Sequence, residues 1–138
     1  MNDKVKQEVD NLEWNTYHAC DFSELFGKII ISIEGAMKEN EAIAFVCSDG
    51  SKYYMYHEQD CCESVEVEDI SGDIADLIGT PITFAEVTSN SNTNEDYDDD
   101  SWTWTYYKLA TIKGYVTIRW YGCSNGYYSE EVDFIKLN

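Results

Sequence analysis

The chain has 138 residues, which is enough for one domain with a buried core. Its 27 Asp and Glu residues outnumber 9 Lys and Arg residues, so the formal net charge is −18 at pH 7. A surface this negative repels nucleic acid and anionic membranes, and it attracts basic proteins and multivalent cations. The composition therefore argues against direct binding to nucleic acid or membrane, although solubility or a salt-adapted proteome would account for the same charge.

The N-terminal segment is polar, and residues 1–25 are predicted to form an arm or a short helix, because Val5, Val9 and Leu12 recur at rough helical spacing. The segment lacks the apolar core of a signal peptide, and no apolar run reaches the ~20 residues that a membrane span needs. Five cysteines cannot all pair within one chain. Cys61 and Cys62 are adjacent and are not expected to bond to each other. We therefore expect a reduced, cytoplasmic protein.

Residues 26–138 have the pattern of a single β-rich domain. Alternating and β-branched segments, rich in aromatic residues, predict most of the strands. Asp49-Gly50 predicts a hairpin turn, because it supplies the positive φ values that such a turn needs. The predicted strands span residues 28–34, 41–47, 52–57, 64–70, 81–87, 102–111, 115–121 and 127–135.

Two segments interrupt this pattern. Ser71–Ile78 predicts a helix, with Ser71 as its cap, Asp73 in its first turn and Gly79 as its end. Residues 88–100 are polar and acidic and predict a long loop. The fold class we predict is α+β, mainly β: a curled or barrel-like antiparallel sheet of about seven strands with one short helix.

The segment His57-x-x-Asp60-Cys61-Cys62-Glu63 contains every residue type that binds a transition metal. Adjacent cysteines are not the separated pairs of a structural zinc site, and no second Cys/His pair follows. An activated thiol is disfavoured, because the negative surroundings raise a thiol pKa. A metal site at His57, Asp60, Cys61 and Cys62 therefore stands as an alternative to ordinary packing, and we predict no cofactor.

Aromatic residues dominate the last third of the chain, where they form either a binding face or simply the core. Stacking platforms for bases come with a positive groove, and only three basic residues interleave here. A pocket for a nucleotide-like signal remains an alternative function. Its candidate residues are His57, Trp104, Tyr106, Trp120 and Tyr127.

Carboxylates spaced along strands and a helix can imitate the phosphates of a duplex, so a rigid acidic domain can fill the nucleic-acid channel of another protein. The run from Tyr53 to Tyr107 contains no Lys or Arg. A solvated acidic face with no partner is the plainer interpretation. The residues predicted to meet a partner are Glu58, Asp60, Glu63, Glu66, Glu68, Asp69, Asp73 and Asp76, followed by a second cluster with Asp98, Asp99 and Asp100.

Two motifs, His-x-x-Asp-Cys-Cys-Glu at 57–63 and Trp-Tyr-Gly-x-Ser-Asn-Gly-Tyr-Tyr-Ser at 120–129, resemble a family of small acidic proteins of unknown function from bacteriophages and prophages. The resemblance covers roughly residues 26–136. It implies a phage product that acts in the bacterial cytoplasm. Small acidic phage proteins often block CRISPR nucleases or restriction enzymes by binding where nucleic acid would bind.

The prediction is therefore a non-catalytic inhibitor that binds a basic host protein, such as a defence nuclease, through a nucleic-acid-mimicking surface. A small-ligand sponge and a metal-binding protein are the alternatives.

Overall fold

The computed structural model describes residues 4–93, 101–126 and 128–138. In these residues, nine strands form two antiparallel sheets, accompanied by one α-helix and two short 3-10 turns. The first sheet has the strand order β1-β9-β4-β3-β2, and the second has the order β5-β8-β7-β6. The elements are α1 (Lys4–Asp10), β1 (Tyr17–Ala19), β2 (Ile30–Glu34), β3 (Ala42–Cys47), β4 (Lys52–Tyr56), β5 (Ser64–Ser71), β6 (Phe84–Thr93), β7 (Ser101–Thr111), β8 (Gly114–Ser124) and β9 (Asp133–Leu137), with 3-10 turns at Phe22–Leu25 and Ile74–Leu77.

The β3–β4 hairpin forms at the predicted turn. Gly50 has a φ of 89°, which glycine adopts without a steric penalty. The carboxylate of Asp49 accepts a hydrogen bond from the Ser51 N–H at 2.9 Å and forms an ion pair with Lys28 at 2.6 Å. These contacts fix the register that places both strands in the first sheet.

The core lies between the two sheets. Strand β7 alternates strictly between half-buried and buried residues, and its inward side joins that of β8. Trp120 of β8 is fully buried and donates its indole N–H to the sulfur of Met55 in β4 at 3.1 Å. This bond connects the inner faces of the two sheets.

The predicted helix over residues 71–78 is not present. Strand β5 continues to Ser71, Gly72 has a φ of 98°, and only the four residues of a 3-10 turn follow. Asp73, rather than Ser71, caps this turn by accepting the Ala75 N–H at 3.0 Å. The hydroxyl of Thr111 in β7 donates to the Asp76 carbonyl, so the segment bonds to the sheet instead of extending as a helix.

The one α-helix in the described residues is α1, which the sequence pattern left open as an arm. Val5 and Val9 are buried against Ala42, Ala44 and Tyr54 on the first sheet. Strand β1 pairs with β9. The described part of the predicted arm is thus in contact with the rest of the fold.

The predicted loop over residues 88–100 is partly a strand. Residues 88–93 belong to β6 and pair with β7 in continuous register, so polar residues are accommodated there by ladder hydrogen bonds. Residues 94–100, including Asp98, Asp99 and Asp100, lie outside the described residues.

The predicted class, mainly β with antiparallel strands, is confirmed. The strands form two sheets rather than one, and the sheets do not close into a barrel. Within the described ranges, no helix has the length and apolar character that crossing a bilayer requires.

Candidate functional site

The connection between β2 and β3 reaches across to the second sheet. The Glu39 N–H donates to the Val67 carbonyl of β5 at 2.7 Å, and the Val67 N–H donates to the Asn40 carbonyl at 2.9 Å. This backbone pairing carries Glu39 and Glu41 to the outer side of β5, where Glu66 lies.

Glu66, Glu39 and Glu41 crowd one another. Burial raises the pKa of Glu66 above its ordinary value, and the charges of Glu39 and Glu41 raise it further. Glu39 also has a φ of 73°, in the left-handed region that disfavours a residue with a side chain. The loop therefore places like charges together in spite of an electrostatic and a conformational cost.

A cavity of about 490 Å³ adjoins this cluster, between α1 and the segment that follows β4. Asp10, Glu41 and Glu58 line it, and Lys6 is its one basic residue among the described ones. Lys6 forms an ion pair with Asp10 at 3.0 Å. We call Asp10, Glu39, Glu41, Glu58 and Glu66 the acidic face.

The structure places the acidic residues predicted to meet a partner in different surroundings. Glu68 binds Arg119 at 2.5 Å, and Asp69 binds Lys38 at 3.4 Å, so both charges are paired. Asp73 caps a turn, Glu58 is an exposed member of the acidic face, and Asp60 is exposed in the segment that follows β4. Asp76 is half-buried, with its carboxylate against Gly114.

Glu63 is the predicted partner-binding residue that the structure removes from the surface, since only 3% of it is exposed. Its carboxylate accepts hydrogen bonds from His57 Nε2 at 2.8 Å, the Asp60 N–H at 3.0 Å and the Cys61 N–H at 2.9 Å. Burial alone would raise the pKa of Glu63, but these donors outweigh it and lower the pKa to about 2. The first motif thus folds around its own final carboxylate.

His57 joins this loop to the β8–β9 connection. Its Nδ1 lies 2.6 Å from the carbonyl oxygen of Glu131, which can only accept, so Nδ1 carries a proton. Its Nε2 faces the ionised Glu63, which also accepts. Both ring nitrogens thus face acceptor oxygens, and His57 connects the buried Glu63 carboxylate to the β8–β9 connection.

The adjacent cysteines are bonded to each other as a Cys61–Cys62 disulfide, which corrects the expectation that they stay unpaired. The thiols of Cys20, Cys47 and Cys123 are free. In the part of the chain that the structure describes, no three His, Cys, Asp or Glu side chains are grouped so as to hold a metal ion. His57, Asp60, Cys61 and Cys62 are brought into one loop, but two of them bond to each other and His57 is occupied at both nitrogens.

The second motif folds around Glu130, which is also buried. Thr103 donates to one carboxylate oxygen at 2.7 Å, while Ser124, at 2.6 Å, and Ser101 donate to the other. Gly122 allows the segment to lie against β8, because a Cβ there would be 2.9 Å from the Glu130 carbonyl oxygen. The Gly and Ser of the motif therefore have structural roles.

The candidate ligand residues do not form one site. Trp104 and Tyr106 lie on the outer face of β7, where Trp104 is 4.5 Å from the Tyr121 ring and Arg119 lies over it at 5.3 Å. Trp120 is in the core and His57 is buried in its loop, so neither can contact a ligand on that face. Tyr127 is outside the described residues.

Three contributors to these arrangements were not identified from the sequence. Glu130 directly follows the second motif, and its one signal in the sequence is Ser124 of that motif, which bonds to it. Glu39 and Glu41 lie in the loop before β3, outside the base-free run, and only the pairing with Val67 brings them to Glu66.

Residues 23–134 match the model of a protein family described as Domain of unknown function (DUF7448). The match covers most of the chain and both motifs. The chain belongs to this family. The family description assigns no activity. Neither the search of curated proteins nor the search of solved structures found a match.

Proposed function

We propose that the protein is a non-catalytic binding protein whose acidic face occupies the nucleic-acid-binding surface of a basic partner protein. The observation that carries the proposal is the crowding of Glu39, Glu41 and Glu66, which raises the pKa of Glu66. A partner that brings Lys or Arg to this cluster relieves the repulsion, so part of the binding free energy is already stored in the free protein.

The backbone that carries part of the acidic face is held by strand β5. Glu39 is held by a backbone hydrogen bond to Val67, and Glu66 lies within strand β5. A backbone already held in place loses little conformational entropy on binding, which favours recognition of a surface that normally binds regularly spaced phosphates.

The partner we propose is a nucleic-acid-binding protein of a bacterial defence system, such as a CRISPR nuclease or a restriction enzyme. This choice depends on the resemblance to phage and prophage proteins and on the net charge of −18. Long-range attraction between opposite charges accelerates such an encounter at low ionic strength.

Capture from a nuclease-treated bacterial lysate tests the proposal. The bait is the tagged protein, compared with a Glu39→Gln/Glu41→Gln/Glu66→Gln variant and with a Glu13→Gln/Asp21→Asn/Glu24→Gln control that has the same change in net charge. The three control residues are exposed, and none of them lines the cavity beside the acidic face. We expect the wild type and the control to retain a nucleic-acid-binding protein that elutes as salt rises, and the first variant to lose it. Equal retention by both variants would show non-specific charge attraction and contradict the proposal.

A further inference from the structure

A second cavity, of about 390 Å³, opens between the two sheets on the side of β6 and β7. Strands β6 and β7 form one wall, and the segment of residues 131–134 forms the other. The rings of Phe22, Tyr107 and Phe134 contact one another along its apolar side, with Phe22 4.7 Å from Tyr107 and 5.2 Å from Phe134. Cavities of this size are typical for small molecules.

The inward side of β7 changes from apolar to polar side chains at this cavity. Leu109 and Tyr107 are followed toward the cavity by Thr105 and Thr103, where a buried strand position ordinarily has an apolar residue. Thr103 is accounted for, because it donates to Glu130 and lies 2.9 Å from the Ser91 hydroxyl.

Thr105 is not accounted for in this way. Only 5% of it is exposed, it lines the cavity, and its hydroxyl has no hydrogen-bond partner among the described residues. Ser89 lies directly opposite in the β6–β7 register, lines the same cavity and is exposed. A ligand in the cavity could therefore form hydrogen bonds with both hydroxyls without displacing a bond within the protein.

The opposite wall is acidic. Asp133 is half-buried and accepts the Glu58 N–H at 3.2 Å, and burial raises the pKa of its carboxyl. Asp21 and Glu131 lie at the same wall, and the described residues that line the cavity include no Lys, Arg or His. Anionic ligands are therefore excluded, whereas an ammonium group finds both a carboxylate and aromatic rings.

We propose that this cavity binds a small aliphatic amine. One ammonium group pairs with Asp133 beside the aromatic rings, and a second polar group bonds to the hydroxyls of Thr105 and Ser89. This site uses different side chains from the acidic face, so either proposal can fail without the other.

Isothermal titration with putrescine at physiological salt tests the inference. The variants are Thr105→Val, which keeps the shape of the side chain, and Asp133→Asn. Their controls are Thr117→Val, a half-buried threonine of β8 that does not line the cavity, and Asp60→Asn, an exposed acid without a side-chain hydrogen bond among the described contacts. We expect one-to-one binding that weakens about tenfold in each cavity variant and stays unchanged in the controls.

Thermal unfolding of the same proteins separates a ligand role from a structural one. The Thr105 hydroxyl bonds to nothing in the described structure, so Thr105→Val should not lower the midpoint of unfolding. The inference is overturned if the folded wild type does not bind putrescine, or if Thr105→Val binds it as tightly as the wild type does.

Discussion

Two buried glutamates, Glu63 and Glu130, organise the two motifs by different chemistry. Glu63 is bonded to the His57 ring and to two backbone N–H groups, whereas Glu130 is surrounded by hydroxyls. A buried carboxylate is stable only when such donors replace its lost hydration. At the residue scale, Glu63 is satisfied within its own loop, whereas Glu130, directly after the second motif, is satisfied by Ser124 and by hydroxyls of β7.

Glu63→Gln should lower the free energy of unfolding at pH 7 by about 3 kcal/mol, because it leaves His57 without its charged partner in a buried site. The effect depends on pH. The pKa of Glu63 is about 2 when folded and near its ordinary value of 4.5 when unfolded, so its stabilisation is complete above pH 4.5. The stabilisation is lost as pH falls from 4.5 toward 2. Urea denaturation of both proteins between pH 2 and pH 7 measures the difference.

Glu58→Gln is the matched control for this comparison, because Glu58 is an exposed acid in the same loop. It should change stability little at any pH in the range. If Glu63→Gln behaves like Glu58→Gln at pH 7, the buried pair does not hold the loop.

Glu39→Gly should raise the free energy of unfolding by about 1 kcal/mol, because Glu39 has a φ of 73° that glycine adopts without strain. Glu39→Gln removes the charge and keeps the strained backbone, so the difference between the two variants isolates the conformational contribution. Chemical denaturation measures both. Equal stabilities for the two variants would show that the loop is not strained at this position.

At the element scale, the two motif segments connect the sheets. His57 bonds the β4–β5 connection to the Glu131 carbonyl of the β8–β9 connection. Strand β8 and the Glu130 segment meet at Gly122, where there is no space for a Cβ. These contacts give structural roles to Glu63 of the first motif and to Gly122 and Ser124 of the second.

Gly122→Ala should lower the free energy of unfolding by about 1–3 kcal/mol, because the new methyl group would lie 2.9 Å from a backbone oxygen of Glu130 and force the segment away from β8. Cys123→Ala is the neighbouring control and should have a small effect, since Cys123 is only half-buried. Thermal denaturation compares the two. An unchanged midpoint for Gly122→Ala would mean that the segment is not packed as described.

The Cys61–Cys62 disulfide can be tested by counting the cysteine thiols that react with a reagent. The protein, unfolded in denaturant without reductant, should react with a thiol reagent at Cys20, Cys47 and Cys123, and reductant should add Cys61 and Cys62. Peptide mapping after alkylation identifies the sites. Labelling of Cys61 and Cys62 in protein purified under non-reducing conditions would contradict the disulfide.

Local patterns predicted most of the strands, because alternation and the Asp49-Gly50 turn act within one hairpin, but residues 128–132 of the strand expected at 127–135 are not in a strand, and β1 was not expected. They did not predict two sheets, since nothing local distinguishes the partner of β5 from that of β4. The helix expected at residues 71–78 does not form, because this segment contacts the second sheet. Gly72 lies against β8, and the hydroxyl of Thr111 in β7 bonds to the Asp76 carbonyl. The acidic face was predicted only in part, because Glu39 and Glu41 reach Glu66 through tertiary pairing.

At the scale of the whole molecule, the excess charge is unevenly balanced. Arg119 and Lys38 pair with Glu68 and Asp69 in β5, whereas burial and the charges of Glu39 and Glu41 raise the pKa of Glu66. Glu41 also lines the cavity that Asp10 and Glu58 line, so carboxylates concentrate at this end of the strand. A basic partner should dock there rather than on the neutralised end of the strand.

Competition with nucleic acid tests this account most directly. Fluorescence anisotropy would follow a labelled duplex bound to the purified partner while the protein is added. Displacement should be complete with the wild type and with the Glu13→Gln/Asp21→Asn/Glu24→Gln control, weaken as salt rises, and require much more of the Glu39→Gln/Glu41→Gln/Glu66→Gln variant. Binding of the protein without release of the duplex would contradict the account, because the acidic face would then not occupy the nucleic-acid site.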